Sequence, residues 1–251
     1  MAWDDMPKHW YEDYERGRPG YPSKSVDVVG VPPSATVLDL GAGTGKLTRL
    51  LIGRFAHVIA VEPDDQMRRL HGLNCPDVEV LEGNAEEIPI VDRAVDAVFA
   101  AQSFHTFANE RAVAEIARVL RPGGALVLMW NVQAGTAEPS IEAVEHLLDR
   151  HWPKGWDPLD LGIGYGSAKF EWHAMFAQSA FGEINETRFP NPHTVDREGL
   201  VAFFDSMGWI AVLPDEERLQ LLDEVRSLLT ASVYAMPWET HVYWARFRPD
   251  A

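Results

Sequence analysis

Residues 37–47 read VLDLGAGTGKL, an apolar run that ends on an acid and then places three glycines within five residues. Such a run is a buried strand turning sharply into a helix. In a turn of this kind, main-chain N–H groups and the helix N-terminus face outward. A Cβ at the closest positions would keep a ligand away from them. The stretch therefore fixes a strand–turn–helix unit. A lone Gly-x-Gly is equally at home in a turn that only packs.

The surrounding sequence repeats that unit. Between about 35 and 130, ATVLDL, HVIAVEP, VEVLE, VDAVFAAQ and GALVLMWN read as strands, while KLTRLLIGRF, DDQMRRLHG and NERAVAEIARVL read as helices. In the last helix Val113, Ile116, Ala117 and Leu120 share one face, and Arg121-Pro122-Gly123-Gly124 stops it. Strands alternating with helices in this order predict a parallel, doubly wound α/β sheet. Beyond Asn131 aromatic residues accumulate as Trp152, Trp156, Tyr165, Phe170, Trp172 and Phe176, together with His151 and His173. That stretch reads as an inserted cap. Two amphipathic helices follow within 194–230, and ETHVYWARF at 239–247 alternates as a final edge strand.

The spacing of the glycines discriminates between ligands. A dinucleotide fingerprint needs a small residue at its sixth position, where this chain has Lys46. Asp39, two residues before the first glycine, adds a carboxylate suited to a ligand amino group and unwelcome beside a pyrophosphate. At the end of the second strand, Glu62 occupies the position from which a carboxylate accepts both ribose hydroxyls. Asp64 and Asp65 are the better candidates for starting the next helix. After the third strand, Asn84, Ala85 and Glu86 offer groups that read an adenine edge, or a solvated turn.

Composition narrows the partners. Lys and Arg total 22 against 38 Asp and Glu, a formal charge of −16, which repels phosphodiester backbones and anionic membranes. No nucleic acid and no membrane is expected as partner. The single cysteine, Cys75, rules out internal disulfides, thiolate-cluster zinc and cysteine-ligated iron–sulfur clusters, and with them radical chemistry. The nine histidines form no H-x-x-x-H or H-x-H pair, so no metal is expected. The first residues lack the pattern of a secretory signal and no apolar run is long enough to span a bilayer, so a cytoplasmic protein is expected.

The strand with D-L-G-A-G-T-G, the acid at the next strand end and the later L-R-P-G-G together resemble class I S-adenosylmethionine-dependent methyltransferases. The chain is most similar to the small-molecule "type 11" branch, near the trans-aconitate and juvenile-hormone-acid methyltransferase-like sequences. Arg18-Pro19-Gly20-Tyr21-Pro22, AQSFHTF at 101–107 and EIARVLRPGGALVLMWN at 115–131 support it. The resemblance implies a Rossmann-like, mostly parallel seven-stranded sheet with an antiparallel final strand and a helical cap. It implies one methyltransferase domain over 1–251: a cofactor-covering segment at 1–22, a cofactor-binding half at 23–131, a cap with the acceptor pocket at 132–180, and a completion of the core at 181–251.

By matching position, Asp39 with the loop Gly41, Ala42, Gly43 and Gly45 holds the methionine end of S-adenosylmethionine. Glu62 with Pro63 holds the ribose, and Asn84, Ala85 and Glu86 the adenine. Gln102 neighbours the sulfonium, while Arg18 and Tyr21 fold over the cofactor. The chain departs from its relatives at Thr106, where a tryptophan is common after the histidine, and at Ser206-Met207-Gly208-Trp209, where S-x-S-Y is common. Both changes fall near the acceptor pocket.

A sulfonium is already a strong methyl donor, so the enzyme chiefly has to align the acceptor and exclude water. A base is needed only for a hydroxyl or protonated amine. His105, after the fourth strand, and His173, in the cap, are the candidates for base or acceptor-orienting residue, each with packing as its other reading. Trp130, Trp152, Trp156, Trp172, Phe176 and Trp209 are candidates for the walls of a small-molecule acceptor site, again with core packing as the alternative. The expected function is methyl transfer to a small molecule, at oxygen first. A nicotinamide-dependent oxidoreductase and a non-catalytic cofactor-binding protein are the competing readings.

Overall fold

A computed structural model describes residues 6–135, 138–153, 172–176 and 179–249. In chain order it opens with helix α1 (Lys8–Gly17), strand β1 (Thr36–Leu40), α2 (Lys46–Ile52), β2 (His57–Glu62), α3 (Asp65–Asn74), β3 (Val80–Glu82) and β4 (Val95–Ala101). It continues with α4 (Phe104–Phe107), α5 (Glu110–Val119), β5 (Leu120–Gln133), α6 (Pro139–His151), a 3-10 turn (Trp172–Phe176), β6 (Asn185–Pro190) and β7 (His193–Asp196). It closes with α7 (Arg197–Asp205), α8 (Gly208–Ala211), α9 (Asp215–Leu228), β8 (Val233–Met236) and β9 (Trp238–Arg246). Two compact units divide these elements: a sheet unit of Gly20–Val132, Gly166–Phe189 and Thr240–Ala251, and a helical unit of Met1–Pro19, Gln133–Tyr165 and Pro190–Glu239.

In the sheet unit the strand order is β3-β2-β1-β4-β5-β9-β6. Strands β1 to β5 are parallel, with Asp39 level with Ala60 on one side and Phe99 on the other. The chain winds outward from β1 to β3 and then returns to β4 on the far side of β1. The crevice at the carboxyl ends of β1 and β4 is thus the switch point where ligands bind in this architecture. Strand β1 is buried on both faces, with Val37 and Leu38 fully enclosed, which is why its sequence is continuously apolar until the acid.

The helices begin where the sequence supplies caps. Asp64 accepts from Met67 N at 2.7 Å to start α3, and Asn109 accepts from Ala112 N at 2.9 Å to start α5. Helix α5 buries Ala112, Val113, Ile116 and Val119, whereas Leu120 already belongs to β5 and Ala117 is only partly covered.

Strand β9 corrects the expectation of an edge strand. It lies between β5 and β6 and runs antiparallel to β5: Gly123 N–H donates to Phe247 O at 2.9 Å, while Asn131 near the other end of β5 accepts from Thr240 at 2.6 Å. Its period-2 alternation comes from residues such as Val242 and Ala245 that fill the core, not from an exposed edge. Strand β6, with alternating half-exposed residues, is the edge that the sequence did not reveal.

The helical unit packs α1 on α7, where Trp10 Nε1 donates to Ser206 O at 2.8 Å. Helix α7 begins three residues later than the amphipathic pattern suggests. Thr194 and Val195 instead pair with β8 in an antiparallel ribbon, and Asp196 caps the helix by accepting from Gly199 N at 2.6 Å. Among the described residues no helix is long and apolar enough to cross a membrane.

Candidate functional site

The three glycines of the opening turn have different physical reasons. A Cβ on Gly41 would come within 2.7 Å of Ser103 Cβ, which is why β1 and the segment after β4 can meet so closely. Gly45, at φ +87°, would drive a Cβ to 2.7 Å from Cys75 Sγ and 3.1 Å from His71 Cδ2, so α3 packs directly on the turn. Gly43, at φ +55°, has nothing within 4 Å of its Cβ position. Only this glycine faces open space, and the left-handed backbone there is one that side chains enter at a cost.

Glu62 stands beside that space. Its Oε2 accepts from Gly43 N at 2.8 Å and its Oε1 from Asp64 N at 3.0 Å. Each carboxylate oxygen keeps a second acceptor position, so these bonds orient the group without exhausting it. Burial pushes the Glu62 carboxyl up to about 7; the two N–H donors and Arg68 oppose that shift and Asp64 adds to it. Arg68 itself is anchored on the carbonyls of Glu62 and Pro63 at 2.9 and 2.6 Å.

Asp39 lies beneath the turn, 1% exposed, with Oδ2 accepting from Thr48 Oγ1 at 2.6 Å. Burial raises its carboxyl to about 7, Thr48 pulling down and the charge of Glu62 pushing up. The two buried acids make the site electropositive-seeking: a bound cation stabilises the ionised form of both.

The wall opposite comes from the ends of β4 and β5. Gln102 is held at φ +53°, a strained conformation for a residue with a side chain, by N–H donation to Met129 O at 2.8 Å. Its amide reaches Asn131 O at 3.4 Å. Asn131, 2% exposed, donates to Gly20 O at 3.0 Å, which ties the segment carrying Tyr21 to the end of β5. Ser103 Oγ donates to Leu40 O at 2.9 Å and locks β4 to β1.

After β3, Asn84 Oδ1 accepts from Glu86 N at 3.0 Å, and Glu86 Oε1 accepts from Asn109 Nδ2 at 2.8 Å. The Ala85 side chain is buried in the core of the sheet unit. Asn84 and Glu86, with Glu87, Asn109 and Arg111, line an open cleft of about 460 Å³.

His105, on α4, has a defined hydrogen-bond state. Trp130 Nε1 donates to His105 Nδ1 at 3.3 Å, and burial holds the imidazole down to about 4. Neutral, with Nδ1 accepting, it carries its proton on Nε2. With Nδ1 occupied by Trp130, the Nε2–H is the ring's remaining polar group. His173 is exposed and stacks on Trp172 at 3.8 Å between ring centroids.

The aromatic candidates divide between the two units. Trp130 stacks on Trp172 at 5.7 Å, and both lie with Phe176 in the buried core of the sheet unit. Trp172 is 0% exposed, so its ring is committed to that core and not to the wall of a pocket. In the helical unit Trp152 packs on buried Trp209 at 5.7 Å. Arg18 is also there: its Nε donates to Ser206 Oγ at 2.8 Å, its Nη2 to Ser206 O at 3.1 Å, and its guanidinium lies over the rings of Tyr14 and Phe203. Trp156, like Tyr165 and Phe170, lies outside the described residues.

Thr48, His71 and Ser103, bonded to one another's neighbours around the turn and β1, and Asn131, at the end of β5, were not singled out by the sequence. His71 had one legible signal: it falls four residues after Met67 on the buried face of α3, a polar group on an apolar stripe. Among the described residues no group of three His, Cys, Asp or Glu side chains is arranged to hold a metal ion.

A family model described as a methyltransferase domain matches residues 38–128, from β1 to β5. An uncharacterized methyltransferase-like protein of Schizosaccharomyces pombe is 34% identical over 221 residues, covering 85% of this chain and 82% of its own. An uncharacterized methyltransferase of Mycobacterium bovis is 49% identical over 120 residues, 48% of this chain and 49% of its own. The YcgJ protein of Bacillus subtilis shares the fold, with a TM-score of 0.55 at 20% identity over 89% of this chain and 96% of its own.

Proposed function

The chain belongs to the class I S-adenosylmethionine-dependent methyltransferases, and from that premise we propose that it methylates a small molecule at an oxygen that arrives already ionised, a carboxylate or an acidic phenol. When bound, the cofactor supplies an electrophilic methyl on a sulfonium. The open space at Gly43 and the remaining acceptor positions of Glu62 fit such a group. In this reading Gly41, Ala42, Gly43 and Gly45 cradle the methionine end and Asp39 supplies negative charge from below. Glu62, with Pro63 fixing the backbone behind it, takes the ribose, and Asn84, Ala85 and Glu86 take the adenine. Gln102 stands beside the sulfonium, and Tyr21 covers the cofactor.

The observation that carries the acceptor class is the state of His105. An imidazole held near 4 with its proton on Nε2 is a poor base at neutral pH, yet it is a good donor for orienting an anionic oxygen. A carboxylate brings its lone pair without losing a proton, so orientation and exclusion of water are what the site must supply. Trp130 fixes the ring through the Nδ1 bond.

The test is calorimetry with S-adenosylmethionine, S-adenosylhomocysteine and NAD, followed by a methyl-transfer screen of carboxylic acids, phenols and amines. Binding of the first two and transfer to acids or phenols is expected. Transfer confined to amines would overturn the oxygen assignment.

A further inference from the structure

Under the glycine turn lies a chain of three side chains. Thr48, in the first turn of α2, puts Oγ1 2.6 Å from Asp39 Oδ2 and 2.9 Å from Nε2 of His71 on α3. Thr48 and His71 are 0% exposed and Asp39 1%. His71 Nδ1 is buried with no hydrogen-bond partner. Close packing at Gly45 presses His71 and Cys75 of this helix region against the turn.

A threonine hydroxyl has one proton to give, and here it has two neighbours. If His71 carried its proton on Nδ1, that N–H would be a buried orphan donor, the rarer and costlier kind of unsatisfied group. With the proton on Nε2, the imidazole donates to Thr48, and the single hydroxyl proton must then point at Asp39. The order is His71 Nε2–H to Thr48, Thr48 O–H to Asp39.

We propose that Thr48 and His71 are positioning residues that hold Asp39 as an ionised acceptor beneath the turn, so that its charge meets the cationic methionine end of the cofactor. This rests on the reading of the turn as the cradle of that end. The charged and titratable neighbours are Glu62, which faces Asp39, and Arg49 and Cys75, which face His71. Glu62 disfavours the Asp39 charge, Thr48 favours it, and burial with Arg49 keeps His71 neutral, down to about 4. His71 therefore stays neutral and keeps donating to Thr48 across the neutral range, within which burial makes Asp39 itself ionise.

The experiment measures binding of S-adenosylhomocysteine, which carries the ammonium, and of 5′-methylthioadenosine, which lacks it, between pH 5.5 and 7.5. Wild type, T48V and T48S are compared. Removing the hydroxyl raises the pH at which Asp39 ionises, so T48V should bind S-adenosylhomocysteine about tenfold more weakly at pH 6.5. The rising limb of its pH profile should move up by about one unit. T48S should restore both, and 5′-methylthioadenosine should bind all three alike. Equal weakening of both ligands, or a loss independent of pH, would overturn the proposal in favour of a merely structural threonine. If wild-type protein bound 5′-methylthioadenosine but gained nothing from the ammonium-bearing ligand, the reading of the turn itself would fall. Nitrogen NMR of His71 in the ligand-free protein gives an independent check: a proton on Nδ1 would refute the hydrogen-bond order whatever the binding data.

Discussion

Substituting alanine at Gly43 and at Gly45 separates a glycine kept for a ligand from one kept for packing. At Gly43 an added methyl meets no atom within 4 Å, and the only structural cost is a left-handed backbone at φ +55°. That cost is about 1 kcal/mol, or a fall in Tm of roughly 2–4 °C for a chain of this size. The methyl would nevertheless occupy the space where the cofactor approaches, and affinity should fall at least about tenfold, or about 1.4 kcal/mol. At Gly45 the backbone penalty is joined by overlap with Cys75 Sγ at 2.7 Å and His71 at 3.1 Å, both buried and neither able to swing away. Strain and overpacking together should cost about 3–5 kcal/mol, with a Tm loss of roughly 6–20 °C. Thermal unfolding and calorimetric titration with S-adenosylhomocysteine, run on both variants, read the two effects separately. If Gly43→Ala bound as wild type while keeping its fold, the open face of the turn would not be the cofactor's approach and the reasoning would fail.

Glu62→Ala should weaken cofactor binding by roughly 1–3 kcal/mol through lost charge-assisted hydrogen bonds; unchanged affinity in a folded variant would remove Glu62 from the ribose. Asp39 makes stability depend on pH with a definite sign. Its carboxyl rises from 3.8 in the unfolded chain to about 7 when folded, so the native state binds more protons in that window and this group's contribution falls as pH climbs from about 4 to 7. The change is on the order of 4 kcal/mol. Asp39→Asn should therefore gain on wild type in thermal midpoint as pH rises, whereas parallel curves for the two proteins would contradict the buried, reluctant acid. His105→Ala should leave cofactor affinity nearly intact and lower turnover. The wild-type kcat profile should show no His105 limb between pH 5.5 and 8, because burial holds the ring near 4. A limb that vanished in the variant would make His105 a base after all.

Much of the sheet unit was legible in the linear sequence because its information is local. Apolar runs bounded by caps and glycines marked β1, β2, β4 and β5, and the glycine turn between β1 and α2 followed from spacing alone. Asp64 was recognisable as a helix start because its cap bond spans only three residues. Strand β6 and the ribbon of β7 and β8 escaped notice because short, half-exposed strands carry no apolar alternation. The position of β9 between β5 and β6 could not be read either: alternation reports which face of a strand is buried, not which strands flank it.

The sequence by itself determined a parallel α/β core, the glycine turn after β1 and the acids Asp39 and Glu62 at its strand ends, and these carried the resemblance to class I methyltransferases, since each depends on residue types at fixed short spacing. Tertiary structure alone decided what those residues do to one another. It assigned Gly45 to packing and Gly43 to open space, and gave His105 its tautomer through Trp130. It also buried Trp172 in the core and joined Asp39 to Thr48 and His71. Those outcomes depend on contacts between groups nine to more than thirty positions apart, and on the burial that converts ordinary carboxyls and imidazoles into reluctant ones.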